Sequence, residues 1–404
     1  MAATEDRRKR IIPAGGIVQS PELQLQVSQA ELATGFSGQV TFHGHGELCL
    51  SGDFGESFRG ILTWTTSVPL PAHSVWSVWP ELRREGEVQV RLRAFFRNSG
   101  SRDVTGTDAE EDLKQPFLIS AGDGMRLALF LEASGRGKLW VGAVHLRQAL
   151  QGGDAFVRGA RRGEDARGEE FYTLFVSMDR KPPLNVFFSA RRAQGGFDSL
   201  DYLYSLGCPF LVISDPRLGG GCGYLGSSEY EAKLKNRITG AMGTLGFDNS
   251  QVIFAGNSMG AAGALYYGGE IHPRAMVLGR PLINLGEVAL REKIWRPGGF
   301  PASLDILQKL TGGVSRECAE QLNRRMWEKV DRGRFDGTEI AAAYMQEDDY
   351  DPTAYMDLLH HLRGKKAKVY GKGFEGRHND NQEEVREWLR LRHRRLLRDK
   401  FGRS

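Results

Sequence analysis

Over the first 183 residues, apolar positions recur at every second residue in short stretches. Glu87–Phe96 (EVQVRLRAFF) alternates polar and apolar side chains. Gln39–Phe42, Ile61–Thr66, Met125–Glu132 and Lys138–Leu146 are similar runs rich in β-branched and aromatic residues. Period two puts one set of side chains on one face of a strand, and the intervening Gly, Asn, Asp and Ser supply turns. The pattern predicts an N-terminal all-β domain of sandwich or jelly-roll type, residues 1–183. Its expected role is carbohydrate binding or partner docking. Two polar segments, 98–115 and 158–170, are expected as mobile loops.

From Leu184 onward the pattern changes. The runs LNVFFSA, PFLVISD, QVIFAG, RAMVLG, EIAAAYM and AKVYGKG read as strands, and helical spacing separates them, as at Ser228–Leu245, Met259–Tyr267 and Glu383–Arg398. Mostly apolar strands alternating with helices predict a parallel sheet covered on both faces. The expected second domain, residues 184–404, is therefore doubly wound α/β of hydrolase-like type. A helical insertion over residues 280–336 is expected to cap its site.

Composition narrows the class. The chain has 404 residues, 40% hydrophobic and 26% charged, which is ordinary globular content. No apolar run reaches the ~20 residues of a membrane-spanning helix, so no transmembrane segment is expected. The charged N-terminus has no apolar run behind it, as a secretory leader would. The four cysteines show no CxxC spacing, and no His/Cys cluster has metal spacing. Reduced thiols, a cytoplasmic location and no metal are expected. Net charge is +4, yet from Arg386 to the end eight Lys/Arg face two Asp/Glu. Without aromatic interleaving or a nucleic-acid motif, this basic stretch reads as a solvated last helix, its cations near the C-terminal end of the dipole. No nucleic-acid partner is expected.

The chemistry concentrates at Gly256-Asn257-Ser258-Met259-Gly260, a G-x-S-x-G directly after a strand and before an apolar helix. In that context the serine sits on a tight strand-to-helix turn, and the glycines remove side chains that would clash. The N–H of Met259 then points at a developing oxyanion, and a second donor is expected from the loop ARRAQGG, at Arg191. A serine nucleophile needs a base, supplied in this chain order by a histidine after the last strand. Of nine histidines, His378 alone follows AKVYGKG in a loop and precedes the last helix. The acid should follow EIAAAYM, where Glu347, Asp348, Asp349 and Asp351 crowd together; position favours Glu347 or Asp349. After another strand, Asp215-Pro-Arg217 and three glycines lack the GK[ST] of a phosphate loop, leaving Arg217 as a candidate anion binder. Trp64, Trp76, Trp79 and Trp140 are expected in the core of the β domain rather than on sugar rings.

The blocks GNSMGAAGALYYGG, DPRLGGGCGYLGS, YMQEDDYD and KGFEGRHNDN resemble those of the second accessory secretory protein family of the bacterial accessory Sec export system. The resemblance implies an O-acetyltransferase acting on N-acetylglucosamine of a serine-rich repeat glycoprotein adhesin, through a serine–glutamate–histidine triad carried over onto Ser258, Glu347 and His378. It also implies sibling accessory secretory proteins and the accessory SecA motor as partners, with a peripheral position at the inner face of the membrane through the export complex. No tightly bound cofactor is implied, and the acetyl donor is left open. Two other readings remain: a non-catalytic export scaffold and an intracellular serine esterase.

Overall fold

A computed structural model describes residues 17, 19–98, 104–110, 113, 115–150, 154–192, 195–219, 221–291 and 303–403. They divide into two units: Gln19–Arg158 with Ala166–Glu169, and Gly159–Asp165 with Glu170 onward.

The first unit is a sheet of antiparallel strands. It contains β1 (Glu22–Leu25), β2 (Glu31–Leu32), β3 (Gln39–His43), β4 (Glu47–Pro69), β5 (Ser74–Gly86), β6 (Gln89–Asn98), β7 (Val104–Glu110), β8 (Phe117–Ala121) and β9 (Met125–Ala149). β9 is its axis. Its first half pairs with β6, its second half with β5, and β4 runs along both. The halves meet at Gly135 (φ 87°) and Gly137 (φ 147°), where a Cβ would stand 2.0 and 2.1 Å from the carbonyl oxygens of Glu87 and Glu85. Only glycine fits there. The apolar face of β9 (Leu127, Leu129, Leu131, Leu139, Val141) joins Trp64 and Trp76 in one core. Trp79 is also buried, while Trp140 carries the Arg83 guanidinium 3.7 Å above its ring.

Two expectations are corrected here. The runs Met125–Glu132 and Lys138–Leu146 are halves of one strand, because the glycines between them bend the chain without ending its pairing. The segments 98–115 and 158–170, expected as loops, contain β7 and β10 (Arg161–Glu164). Each pairs with a single neighbour. An edge strand is held by backbone hydrogen bonds and needs no apolar run, so polar sequence did not reveal it.

The second unit carries an eight-stranded sheet in the order β10-β11-β13-β12-β14-β15-β16-β17. Its remaining strands are β11 (Glu170–Val176), β12 (Leu184–Phe188), β13 (Phe210–Ser214), β14 (Val252–Asn257), β15 (Ala275–Gly279), β16 (Glu339–Met345) and β17 (Lys368–Phe374). β12 to β17 are parallel; β10 and β11 are antiparallel. The expected boundary at residue 183 is therefore too late, since β10 and β11 already belong to this sheet. Its helices are α1 (Leu200–Ser205), α2 (Ser228–Leu245), α3 (Met259–Ile271), α4 (Leu285–Leu290), α5 (Ser303–Thr311), α6 (Arg316–Arg332), α7 (Ala354–His361) and α8 (Gln382–Phe401). Alternate residues of β16 show that both faces are covered. Ile340 and Ala342 join the large core with α2, α3 and α6, whereas Ala343 and Met345 pack with Phe374 and Val385 of α8. The insertion supplies α4 to α6, whose Val288, Ile306 and Trp327 share the large core; its residues 292–302 lie outside the described ones.

Strand order reverses at β12, with β13 on one side and β14 on the other. Ligand sites of open α/β sheets form beyond the carboxyl ends of the strands at such a point. The segments following β12, β14, β16 and β17 carry Arg191, Ser258, Asp348 and His378.

Candidate active site

Ser258 sits between β14 and α3 with φ 56° and ψ −121°, a conformation that L residues rarely adopt. The turn is held by the Ser258 N–H donating to the Gly279 carbonyl (2.7 Å) and by glycine at two crowded positions. A Cβ at Gly256 would stand 2.2 Å from the Gly260 carbonyl oxygen, and one at Gly260 would stand 2.1 Å from that of Phe188. Residues with side chains would push the elbow off the sheet. Ser258 itself is half-buried rather than enclosed in the core.

The Ser258 Oγ lies 2.9 Å from His378 Nε2. On the other side of the ring, His378 Nδ1 lies 2.8 Å from Asp348 Oδ2. The second Asp348 oxygen accepts the backbone N–H groups of Tyr350 (2.8 Å) and Asp351 (3.0 Å). Burial pushes the Asp348 carboxyl up, but the His378 hydrogen bond and charge and those two N–H groups outweigh it, leaving it below the ordinary carboxylate range. The acid facing the imidazole is thus Asp348, which replaces the expected Glu347. Glu347 is exposed and enters the turn only through its backbone N–H, which donates to the Gly376 carbonyl. Asp349 instead accepts the His378 backbone N–H at 3.1 Å. The reason is local: the Asp348 carboxylate caps its own turn, and that capping turns it inward.

Four further residues support the site. The Tyr350 ring lies 4.7 Å from the His378 ring, centroid to centroid. Arg280, just past β15, donates from Nη1 to the His378 carbonyl (2.8 Å). The Asn257 amide spans the same region, its nitrogen donating to the Gly279 carbonyl (3.0 Å) and its oxygen accepting from Arg280 Nη2 (2.7 Å). Asp351 accepts the N–H groups of Ile283 and Asn284 at 2.7 Å each, tying the acid loop to the start of α4. Burial raises its carboxyl to about 6 against those hydrogen bonds. Sequence reasoning named none of these in such roles, because no motif or spacing sets them apart.

The oxyanion candidates occupy the expected edge. Met259 is the first residue of α3, where helical N–H groups lack intrahelical acceptors. Arg191 follows β12 and is half-buried; burial pulls its guanidinium below the usual range, partly opposed by Tyr350. Arg217 is not an anion site. It is 1% exposed and forks onto Asp215 (Nε to Oδ1 2.9 Å, Nη2 to Oδ2 2.7 Å), with its guanidinium 3.8 Å above the Tyr230 ring. The other histidines of this unit have structural partners: His361 meets Asp331 and, edge-on, the His360 ring, His272 meets the Asp336 carbonyl, and buried His393 the Asn185 amide oxygen. Among the described residues no group of three or more His, Cys, Asp or Glu is placed to hold a metal ion.

A family model described as the accessory Sec system GspB-transporter matches residues 21–403. The chain belongs to this family. Two curated relatives are accessory Sec system proteins of the same family. The one from Streptococcus gordonii is 38% identical over 92% of this chain and 74% of its own length. The one from Staphylococcus aureus is 35% identical over 91% and 71%. Among solved structures, a chain of the Glycosylation Associate Protein (Gap123) complex from Streptococcus agalactiae superposes with a TM-score of 0.90 at 39% identity, covering 96% of this chain and 75% of that one. Among the described residues of this accessory Sec family member, no helix is long and apolar enough to cross a membrane.

Proposed function

We propose that this accessory Sec family member is a serine O-acetyltransferase that modifies N-acetylglucosamine on a serine-rich repeat adhesin and supports export of that adhesin. The observation that carries the catalytic part is the unbroken contact chain Ser258–His378–Asp348 at the carboxyl edge of the sheet.

In this mechanism His378 Nε2 takes the Ser258 proton as Oγ attacks the carbonyl carbon of an acetyl donor. Asp348 holds the ring with Nδ1 protonated and stabilises the imidazolium. The N–H groups of Met259 and Arg191 receive the charge on the carbonyl oxygen. When the tetrahedral intermediate collapses, His378 returns the proton to the leaving group and the acetyl remains on Ser258. A sugar hydroxyl then attacks the acyl-enzyme, giving its proton to His378, which passes it to the departing Ser258 Oγ as the acetylated sugar leaves. Water in place of the sugar makes the same residues an esterase. Sibling accessory proteins and the accessory SecA motor are the proposed partners, at the inner face of the membrane. Similarity to a chain of the Gap123 complex supports assembly with siblings.

The test is mass spectrometry of adhesin glycans from cells carrying wild type or Ser258→Ala, with export of the adhesin followed in parallel. Loss of an acetyl mass from N-acetylglucosamine with export retained is expected. Unchanged glycans would reject acetyl transfer and leave an export scaffold.

A further inference from the structure

Behind the elbow, between β12, β14, β15 and helices α1 and α8, lies a cavity of about 250 Å³. Gly256, Asn257 and Arg280 line it, but Ser258 and His378 do not. It is therefore a space next to the triad rather than the triad's own cleft.

Its floor is apolar: Phe187, Val277, Val385 and Leu389. Its charge is not balanced. Arg280, Arg386 and Arg390 line it against one carboxylate, Asp198. His393, also on the wall, is lowered to about 4 by burial and by Arg394, so it is neutral near pH 7 and adds nothing. Arg280 is 8% exposed, and its partners are the His378 carbonyl and the Asn257 amide. Arg390 lies over the Tyr202 ring at 5.0 Å. Neither arginine has an ion pair among the described residues. Arg386 meets Glu383, which lies on its own helix and outside the cavity wall. Tyr202 adds a buried hydroxyl with no hydrogen-bond partner among the described residues. A buried guanidinium with no direct ion pair, on which the Asp348 and Asp198 carboxylates act only at longer range, two more cations and an orphaned hydroxyl around an apolar floor are complementary to one kind of ligand.

We propose that this cavity binds a small organic anion, with one carboxylate or phosphate group held by Arg280, Arg386 and Arg390 and an apolar body on the floor. Because Arg280 also holds the His378 backbone, occupancy is felt at the triad. The site goes beyond the acetyltransferase reading and does not depend on it, since binding is measured without turnover.

The test titrates benzoate and phenyl phosphate into the full chain by calorimetry, with inorganic phosphate as the ion lacking an apolar body. Saturable binding of at least one aryl anion is expected, at least tenfold tighter than inorganic phosphate and weakened at least tenfold in Arg386→Gln/Arg390→Gln. Both positions are on the outer part of α8, and an unchanged unfolding temperature would show that the double variant folds. The stronger of the two aryl anions identifies the headgroup. In parallel, the His378 ring resonances of wild type are expected to move on titration and those of the double variant to stay. No saturable binding, or equal binding by the double variant, would overturn the site. Binding that leaves the His378 resonances in place would overturn its link to the triad.

Discussion

His378 Nδ1 and Asp348 Oδ2 stand 2.8 Å apart, in surroundings that leave these two residues 3% and 6% exposed. The pair is shielded on one side by the Tyr350 ring, and the turn that follows β16 aims the carboxylate by engaging its second oxygen. A shielded, hydrogen-bonded carboxylate holds one tautomer of the ring, the one that leaves Nε2 free to accept the Ser258 proton.

Asp348→Asn is expected to lower kcat for a chromogenic acetate ester by roughly 10⁴-fold, the loss that tautomer reversal produces in a serine-protease triad. Glu347→Gln, with its exposed side chain, should stay within about twofold on the same principle of contact geometry. Equal losses in the two variants would reject Asp348 as the orienting acid.

Gly260→Ala adds a Cβ 2.1 Å from the Phe188 carbonyl oxygen, which is backbone of the central strand and has nowhere to move. The expected cost is about 1–3 kcal/mol or more, as for overpacked cores, together with loss of Ser258 labelling by a fluorophosphonate. Gly240→Ala is the control, because a Cβ there meets nothing within 4 Å. Urea unfolding and labelling of both variants decide the point.

Removing one member of the Asp215–Arg217 pair leaves the other charged and buried. Asp215→Asn is expected to destabilise the α/β unit by about 3–5 kcal/mol. It also leaves a single oxygen where two now serve Arg217 and the Tyr224 N–H (3.2 Å). An anion-binding role for Arg217 would instead predict a folded variant with altered ligand affinity, and chemical denaturation separates the two.

In the β unit, His145 lies between Glu22 and Glu81, 2.9 Å from each, with Arg147 on Glu22 at 2.7 Å. Burial and Arg147 push the His145 imidazole down, but the two carboxylates outweigh them and raise it to about 9. Burial pushes Glu22 up, yet Arg147 and His145 bring it to about 2. The histidine's contribution to stability is therefore complete below its ordinary 6.5 and fades as pH rises through about 9. The glutamate's contribution is complete above its ordinary 4.5 and fades as pH falls toward about 2. Stability from this cluster should peak between those ordinary values. Unfolding free energies of wild type and His145→Gln from pH 5 to 10 should show an alkaline decline in wild type that the variant lacks.

Local pattern was enough for much of this molecule. The bounds of α2 and β16 follow from apolar periodicity, and G-x-S-x-G between a strand and a helix located the elbow, because both signals lie within a few turns of chain. His378 was legible too, since only one histidine follows the last parallel strand closely. What the sequence left open was which of several neighbouring carboxylates turns inward. That depends on one backbone turn closing on Asp348, a choice made by hydrogen bonds and not by composition. The polar strands β7 and β10, and with β10 the true division between the units, were hidden for a related reason: backbone pairing carries no side-chain signature. Arg217 and Arg280 were likewise indistinguishable as letters. Tertiary packing alone seats the first against Asp215 and leaves the second, without an ion pair among the described residues, between His378 and a cavity.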